Sequence, residues 1–427
     1  MNTDKTRVYI ERSKSSPLEL SLCDYSEAYY LKDALILAVP HLKRVVSINI
    51  AGDEDALEDF IEHFSCATPL LRYLIIDFTP CDAPPILSDT LFDGGVSSLS
   101  LLSLRGVVPR LPWNNLPNLT AFSLSNIPEG EISLTKLLDL FANAASLKDI
   151  LLGSIPDSSD ASPGRVVSLP RLGNLTIFAN RVRSSVVLNH LSLPTGAFLY
   201  LFFCFDGEES PLPEFLPETA ENLKNISCIT SAYLFFIAES IHIQLGGLSG
   251  GLCIQGLRDE HPRTFPAILG CRIIRSLERF DLSRTERLAI TMDESSPLDI
   301  TYFHLLHHVL GIMKELRVLF INSCNNLLFL FALNPNRCLQ KQTLCPKLES
   351  IVLYVGNKEA PHIRELTDMA KERASGGTQL QSITVIRGDE PVPEEEVFEL
   401  REHVARVECR LERVAPAWNS IPNHGNS

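Results

Sequence analysis

The sequence predicts an α/β solenoid in which parallel strands line a concave face and helices cover the convex face. One observation is a recurring pattern, apolar-x-x-apolar-x-apolar, whose copies begin at Val45, Leu71, Leu99, Leu119, Leu147, Leu172, Leu277, Leu316, Leu348 and Leu380. Except across the gap from Leu172 to Leu277, the copies lie 20 to 39 residues apart, which is typical of an irregular leucine-rich repeat. The other observation is that apolar residues between copies follow a helical period, so stacked strand–helix units can bury each other's apolar faces.

The strands are predicted by the second half of each copy. In "PLLRYLIIDF", "SLSLLSLRGV" and "ELRVLFINSC" the last two apolar residues of the pattern alternate with other residues, as on a strand with one buried face. We expect a stack of at least ten parallel strands in which these alternating residues are buried, namely Leu74, Ile76, Leu102, Leu104, Leu319 and Ile321.

The helices are predicted by apolar stripes between the copies. "DEDALEDFIEHF" and "SLTKLLDLFANAA" each carry one stripe, formed by Leu57, Phe60, Ile61 and Phe64 and by Leu134, Leu137, Leu138 and Phe141. "HIRELTDMAKERASGG" carries a third, with Ile363, Leu366 and Met369, and Gly376 and Gly377 end it. "EEEVFELREHVARVE" begins with acidic residues behind Pro393, which favours a helix N-terminus there.

The pattern weakens between residues 180 and 276. Degenerate copies are expected at "FLYLFF" (198–203), "NISCIT" (225–230) and "SIHIQL" (240–245). We therefore expect one solenoid over residues 15–412, with flexible segments at 1–14 and 413–427.

Composition and charge restrict the class of protein. The chain has 427 residues, of which 38 are Lys or Arg and 52 are Asp or Glu, giving a formal charge of −14. This balance argues against a nucleic-acid binder or a binder of anionic membranes, since both need clustered positive charge. The chain has 11 cysteines with no CxxC pair, and no secretion signal or membrane-length apolar run. We expect a monomer in a reducing compartment, the cytoplasm or the nucleus.

Three patterns resemble chemical sites. "GLSGG" at 247–251 fits the G-x-S-x-G nucleophile elbow around Ser249, with Asp259 and His261 downstream. His304 and His308 lie four apart, a spacing that zinc ligands use, but no third ligand is evident. Cys338 and Cys345 flank a predicted loop. We expect a turn, an exposed helix face and reduced thiols at these places, with no catalytic residue, metal or cofactor.

The candidate binding residues lie between the buried positions of the strands. Because side chains alternate along a strand, these residues face the concave surface, where mixed aromatic, apolar and charged groups suit protein binding. The copy that begins at Leu71, for example, places residues 73, 75 and 77 on this surface. The copy that begins at Leu277 places residues 279, 281 and 283 there. Binding anchors are expected among the aromatic, Arg and Asp residues, namely Tyr73, Asp77, Arg105, Phe178, Asp281, Phe320 and Tyr354.

Six segments of the first half of the chain share one arrangement and follow one another in order: "ERSKSSPLELSL", "TPLLRYLIIDF", "DTLFDGGVSSLSLLSLRGV", "LPWNNLPNLTAFSLSNI", "SLKDILLGSIP" and "VVSLPRLGNLTIFAN". In these segments the chain resembles the F-box/leucine-rich-repeat-like proteins that mushroom-forming fungi carry in great numbers. "LTDMAKERASGGTQLQSITV" and "EEEVFELREHVARVECRLE" are similar to the family's closing repeat and helix. The resemblance covers roughly residues 12 to 412 and is weakest from 200 to 300.

The resemblance implies substrate recognition for an SCF-type ubiquitin ligase, because in the family the F-box recruits the ligase while the repeats hold the substrate. The F-box would precede Arg12, and the 11 residues there do not resemble it. We therefore expect residues 1–427 alone not to co-purify with the ligase adaptor. A box-less leucine-rich-repeat scaffold unrelated to ubiquitin is the alternative, and a serine hydrolase using "GLSGG" is the third hypothesis.

Overall fold

The computed structural model describes residues 3–23, 29–52, 60, 64, 66–78, 85–87, 96–109, 116–128, 131–154, 160–180, 184–205, 217, 221–237, 240–247, 249–258, 280–292, 300–323, 326–337, 343–355, 362–387 and 392–411. Among these residues the fold is α/β, with eight helices and mostly parallel strands, as the sequence predicts. The chain divides into two compact units. Unit 1 comprises Met1–Cys204 and Pro213–Asn225, and unit 2 comprises Phe205–Leu212 and Ile226–Ser427.

Unit 1 is built on a parallel sheet. Its strands are β1 (Leu18–Cys23), β2 (Val45–Gly52), β3 (Tyr73–Phe78), β5 (Leu101–Arg105), β7 (Ala121–Ser125), β8 (Asp149–Leu152), β10 (Asn174–Asn180) and β12 (Phe198–Phe205). They lie in this order, and neighbours pair in parallel. Two short parallel pairs flank the sheet: β4 (Ile86–Leu87) with β6 (Val108–Pro109), and β9 (Val167–Ser168) with β11 (Leu191–Ser192). The helices are α1 (Thr3–Ser13), α2 (Tyr29–Ala38), α3 (Leu134–Asn143) and α4 (Ser184–Leu188).

Unit 2 combines an antiparallel part with a parallel part. β13 (Ser231–Ile237), β14 (Ser240–Gly246) and β15 (Gly251–Arg258) pair antiparallel in the order β15-β14-β13. From β13 the sheet continues in parallel through β16 (Arg287–Met292), β17 (Val318–Ser323), β18 (Ser350–Val355), β19 (Ser382–Arg387) and β20 (Arg406–Leu411). The helices are α5 (Ile300–Ile312), α6 (Asn326–Leu333), α7 (Ile363–Ser375) and α8 (Glu394–Val397).

The recurring apolar pattern forms the core of both units. Its first residue precedes the strand and its other two lie on the strand's buried face, as Leu71, Leu74 and Ile76 do around β3. The parallel register places Leu74 beside Leu102, so that successive copies pack on one another. All six core residues predicted from the sequence are buried, which confirms the assignment of the strands.

Two of the predicted helices are also confirmed. α3 and α7 bury the predicted stripes: Leu134, Leu137, Leu138 and Phe141, and Ile363, Leu366 and Met369. Gly377, just past α7, has a φ of +77°, which glycine adopts readily. Of the stripe in "DEDALEDFIEHF", Phe60 and Phe64 are buried, while Leu57 and Ile61 lie outside the described residues.

The predicted copy at Leu277 is wrong. Its strand would have included residues 279–283, but Leu282–Arg284 form a 3₁₀ turn, and the strand of this region is β16. The copy that forms β16 begins at Thr285, which is buried. Thr285 is equivalent to Leu316, the first residue of the next copy, because the register pairs Arg287 with Val318. The search for an apolar first residue missed this copy because threonine is polar.

The weak region from 180 to 276 contains strands that the sequence assigned only in part. "FLYLFF" lies in β12 and "SIHIQL" in β14, although β14 pairs antiparallel. "NISCIT" is not a strand: Lys224–Ile226 form a 3₁₀ turn, and the strand β13 follows it. β13 keeps the pattern with Ala232 in the second position, an apolar residue that a search for larger side chains passes over.

The two ends of the described chain carry secondary structure that the sequence predicted only in part. α1 stands where a flexible segment was expected at 1–14, and its last turn is held by Arg44. The Arg44 guanidinium donates to the carbonyl oxygen of Ile10 at 3.1 Å, to that of Ser16 at 3.2 Å and to that of Lys14. At the other end α8 begins behind Pro393, which confirms the predicted helix N-terminus, and it ends at Val397. A 3₁₀ turn, Leu400–Glu402, then precedes β20. Residues 412–427 lie outside the described residues.

Within the described residues, no helix combines the length and the apolar character that crossing a membrane requires.

Candidate protein-binding face

The exposed side of the unit 1 sheet is formed by the residues that alternate with the core positions, and we call it the open face. The parallel register aligns these residues into rows that run across the strands. The middle row mixes polar, aliphatic and aromatic residues, in the order Asn49, Ile75, Ser103, Ser123, Leu151, Thr176 and Tyr200. All of them are partly exposed.

Tyr73, Asp77 and Arg105 lie on the open face, as the sequence predicts. Tyr73 begins β3 and is 45% exposed, an unusual exposure for a large aromatic residue. Asp77 and Arg105 are register partners on β3 and β5, and their side chains form an ion pair of 3.6 Å. Because both side chains are about half exposed, solvent screens this pair and it contributes little to stability.

Phe178 lies on the open face within a group of aromatic side chains. It is 42% exposed, and its ring stacks on Phe202 with centroids 4.8 Å apart and planes 14° apart. On the same strand as Phe202, the rings of Phe198 and Tyr200 stack on each other with centroids 6.3 Å apart. These three aromatic residues were not predicted as site residues because β12 lies in the weak region, although the alternation in "FLYLFF" indicates them.

In unit 2 the structure corrects two of the three predicted site residues. Asp281 is not on a strand: its carboxylate accepts a hydrogen bond from the Ser283 backbone N–H at 3.1 Å and caps the 3₁₀ turn. Hydrogen bonds from Ser283 hold the pKa of Asp281 below its usual value. Phe320 is on β17 but only 2% exposed, so it packs as a core residue and cannot serve as an exposed anchor. Tyr354 on β18 is half-buried.

A cluster of three side chains in unit 2 was not anticipated. The Sγ atom of Cys253 on β15 lies 3.3 Å from Nε2 of His242 on β14, and the Tyr233 ring meets the imidazole edge-on at 6.1 Å. Burial raises the pKa of the Cys253 thiol to about 11 and lowers the pKa of His242. Both groups are therefore neutral near pH 7, which is the opposite of the thiolate–imidazolium pair that a cysteine nucleophile needs.

The "GLSGG" stretch joins two strands. β14 and β15 pair antiparallel with Gly246 opposite Gly251, and the Gly247 N–H donates to the Gly250 carbonyl at 2.8 Å. A nucleophile elbow needs a helix directly after the serine, whereas Ser249 is followed by a strand. Asp259 and His261 lie outside the described residues.

The predicted metal-binding and disulfide candidates lie on α5 and before β18. His304 and His308 are on α5, and the His304 side chain lies outside the described part of the chain. The residues that the structure describes contain no group of three potential metal ligands. The thiol of buried Cys345 donates to the Leu310 carbonyl at 3.2 Å, and Cys338 is outside the described residues.

A cavity of about 340 Å³ lies beside the start of α3, lined by Val108, Pro109, Glu131, Ile132, Ser133, Lys136 and Leu137. Nearby, Asp160 accepts hydrogen bonds from the Ser133 hydroxyl and the Thr135 backbone N–H. Burial alone would raise the pKa of Asp160, but these hydrogen bonds outweigh it and lower the pKa. This arrangement fixes the helix start and gathers no catalytic set of groups.

Comparison with protein-family models finds no match to this chain, and comparison with curated protein sequences finds none either.

Proposed function

We propose that the chain is a protein-interaction module that holds a partner protein on the open face of unit 1. The single observation that carries this proposal is the row-by-row alignment of partly exposed aromatic, apolar and charged side chains on a regular parallel sheet. Tyr73 and Phe178 are the large aromatic residues of this face with the greatest exposure, at 45% and 42%. Such residues concentrate binding energy when a partner covers them.

Protein binding explains the described residues better than catalysis does. The two arrangements that resembled catalytic sites, around Ser249 and around Cys253 and His242, lack the geometry or the protonation state that catalysis needs. A surface that binds proteins needs neither a catalytic geometry nor a particular protonation state of such groups. We therefore infer a non-enzymatic role that uses no metal or cofactor.

The resemblance to F-box/leucine-rich-repeat-like proteins extends this proposal to ubiquitin ligation. On this hypothesis the chain is an irregular leucine-rich-repeat solenoid in the cytoplasm or nucleus, its open face is the concave surface, and it selects substrates for an SCF-type ligase. The alternative is a scaffold of the same fold with no link to ubiquitin. Binding of the ligase adaptor by a protein that carries an F-box before residue 1 would favour the first; we expect residues 1–427 alone not to bind it.

The experiment is a quantitative pull-down from native cell extract. The test variant combines Tyr73→Ala with Phe178→Ala, and both changes lie on the open face. The matched control combines Tyr9→Ala with Phe398→Ala, which remove the same side-chain types at sites that are 64% and 68% exposed elsewhere. We expect the test variant to lose specific partners that the wild type and the control retain. Equal capture by all three folded proteins would refute the proposal.

A further inference from the structure

One end of the open face contains a gap beside the ring of Phe178. Phe178 on β10 and Phe202 on β12 are in register, and their parallel rings have centroids 4.8 Å apart. This distance matches the spacing of neighbouring strands, so the rings stack along the direction that crosses the strands. The second face of the Phe178 ring is therefore turned toward β8 and, since 42% of the residue is exposed, it is open to solvent.

Small residues form the floor of this gap. The register pairs Leu152, the last residue of β8, with both Leu124 and Ile177, and Gly153 follows Leu152 directly and packs against Ser125. A Cβ at Gly153 would lie 2.6 Å from the Ser125 Cβ, so this position excludes a side chain. Ser125 is thus the largest side chain on β7 and β8 at this level.

Arg105 stands on the far side of the gap. β5 and β10 are three strand spacings apart, which is about 14 Å. We call the space between Phe178 and Arg105, over Ser125 and Gly153, the aromatic slot. The Arg105 guanidinium is directed toward Asp77 on β3, on the other side of β5, and would have to turn from Asp77 to face the slot. Arg105 can leave Asp77 at little cost, because their ion pair is long and exposed. A flat aromatic group in the slot would stack on Phe178 and meet a cation on its other face.

Unneutralised positive charge lies at the opposite end of the same strands. Arg72 and Lys148 immediately precede β3 and β8, are exposed, and have no carboxylate within 4 Å among the residues that the structure describes. The equivalent residues before β17 and β18 in unit 2 are Arg317 and Glu349, which neutralise each other at 3.2 Å. The unit 1 edge is therefore complementary to an acidic ligand, although the whole chain carries −14.

We propose that the open face binds an acidic peptide segment of its partner, which lies along the strands with one aromatic side chain in the aromatic slot. Carboxylates of the segment meet Arg72 and Lys148. From Arg72 to the level of Asp77 the strand rises about 16 Å, a distance that about five extended residues span. This inference names the partner chemistry for the proposed function and rests on it.

The test selects a phage-displayed library of random peptides, each about 12 residues long, on the full chain. Recovered peptides are then measured by fluorescence anisotropy against five variants. Tyr73→Ala removes an aromatic side chain of the open face outside the slot. Phe178→Leu keeps an apolar side chain without the ring, Ser125→Leu fills the slot, and Arg72→Ser/Lys148→Ser removes the edge charge. Phe398→Ala is the control, since Phe398 is exposed in unit 2. Thermal unfolding of each variant confirms that it is folded.

We expect the recovered peptides to share one aromatic position and a negative charge. Phe178→Leu and Ser125→Leu should each weaken binding about 5-fold, which lies within the range of aromatic stacking. The double charge variant should weaken binding at low salt, and this difference should shrink as salt screens it. The control should bind as the wild type does.

Two other outcomes overturn the inference in distinguishable ways. Peptides that lose binding to Tyr73→Ala but tolerate both slot variants would show that the open face binds a partner by other chemistry. That result refutes the aromatic slot and leaves the proposed function standing. Recovery of no peptide that depends on any open-face residue would contradict the slot and the proposed function together.

Discussion

Arg373 provides a sharp test of how the core of unit 2 is held together. This residue of α7 is fully buried, with Nη1 donating to the Leu344 carbonyl at 2.9 Å and Nη2 to the Cys345 carbonyl at 2.8 Å. Its Nε has no hydrogen-bond partner, and no carboxylate among the described residues pairs with it. Burial lowers the pKa of the guanidinium, as expected for a cation that no anion compensates.

Replacing Arg373 by Met removes the charge and both donors while keeping a long apolar side chain. The Cys345 carbonyl still accepts a hydrogen bond from the Leu348 N–H at 3.0 Å. The main loss is therefore the hydrogen bond to the Leu344 carbonyl. An orphaned buried carbonyl costs about 1–3 kcal/mol, and relief of the buried charge offsets part of this. Because of this offset, we expect Arg373→Met to lower the free energy of unfolding by about 1 kcal/mol, at the lower end of that range. Arg373→Lys should cost more, about 3–5 kcal/mol, because it keeps the charge but loses the fork that reaches both carbonyls.

The assay is equilibrium urea unfolding followed by circular dichroism. Arg364→Met, at an exposed position of the same helix, is the matched control and should change stability by no more than about 0.5 kcal/mol. If Lys is tolerated better than Met, the positive charge matters more than the forked hydrogen bonds and the reasoning is wrong. Neutral behaviour of both variants would show that the two carbonyls do not depend on Arg373.

Three further predictions concern the core, the surface and pH. Leu74→Ala should cost about 2–5 kcal/mol in urea unfolding, because Leu74 is buried in the ladder of strands. Asp77→Ala should change stability by less than about 1 kcal/mol, since its ion pair with Arg105 is exposed; a larger loss would contradict that account. Burial raises the pKa of Cys345 from 9.0 to about 12, so its contribution to stability is complete below pH 9 and lost as pH rises toward 12. Between pH 9 and pH 12, the urea midpoint of unfolding should therefore fall less steeply with pH in Cys345→Ala than in the wild type.

The strands could be predicted from the sequence wherever leucine or isoleucine filled the pattern. Leu102 and Leu104 are examples, because burial on one face of a strand demands alternation that is visible in the letters alone. The pattern failed where Thr285 or Ala232 filled a buried position. Both residues are buried, and the equivalence of Thr285 with Leu316 and of Ala232 with Leu288 becomes visible only from the pairing of segments far apart in sequence.

The open face could be predicted only in outline. Alternation correctly placed Tyr73, Arg105 and Phe178 opposite the core side chains. Alternation alone could not foresee that Phe320, at an equivalent position, is enclosed by its surroundings. Alternation also could not reveal the slot, because the close approach of Gly153 to Ser125 depends on how β7 and β8 pair.

Site-specific photocrosslinking tests the central claim most directly. A benzophenone amino acid replaces Ser123, in the middle of the open face, or Phe398, which is 68% exposed in unit 2, and each protein is irradiated in native cell extract. The account predicts a covalent adduct with a partner protein at Ser123 that disappears when Tyr73→Ala and Phe178→Ala are added, and no such adduct at Phe398. Adducts that form equally at both positions, or that survive the two alanine substitutions, would contradict the assignment of the open face as the binding surface.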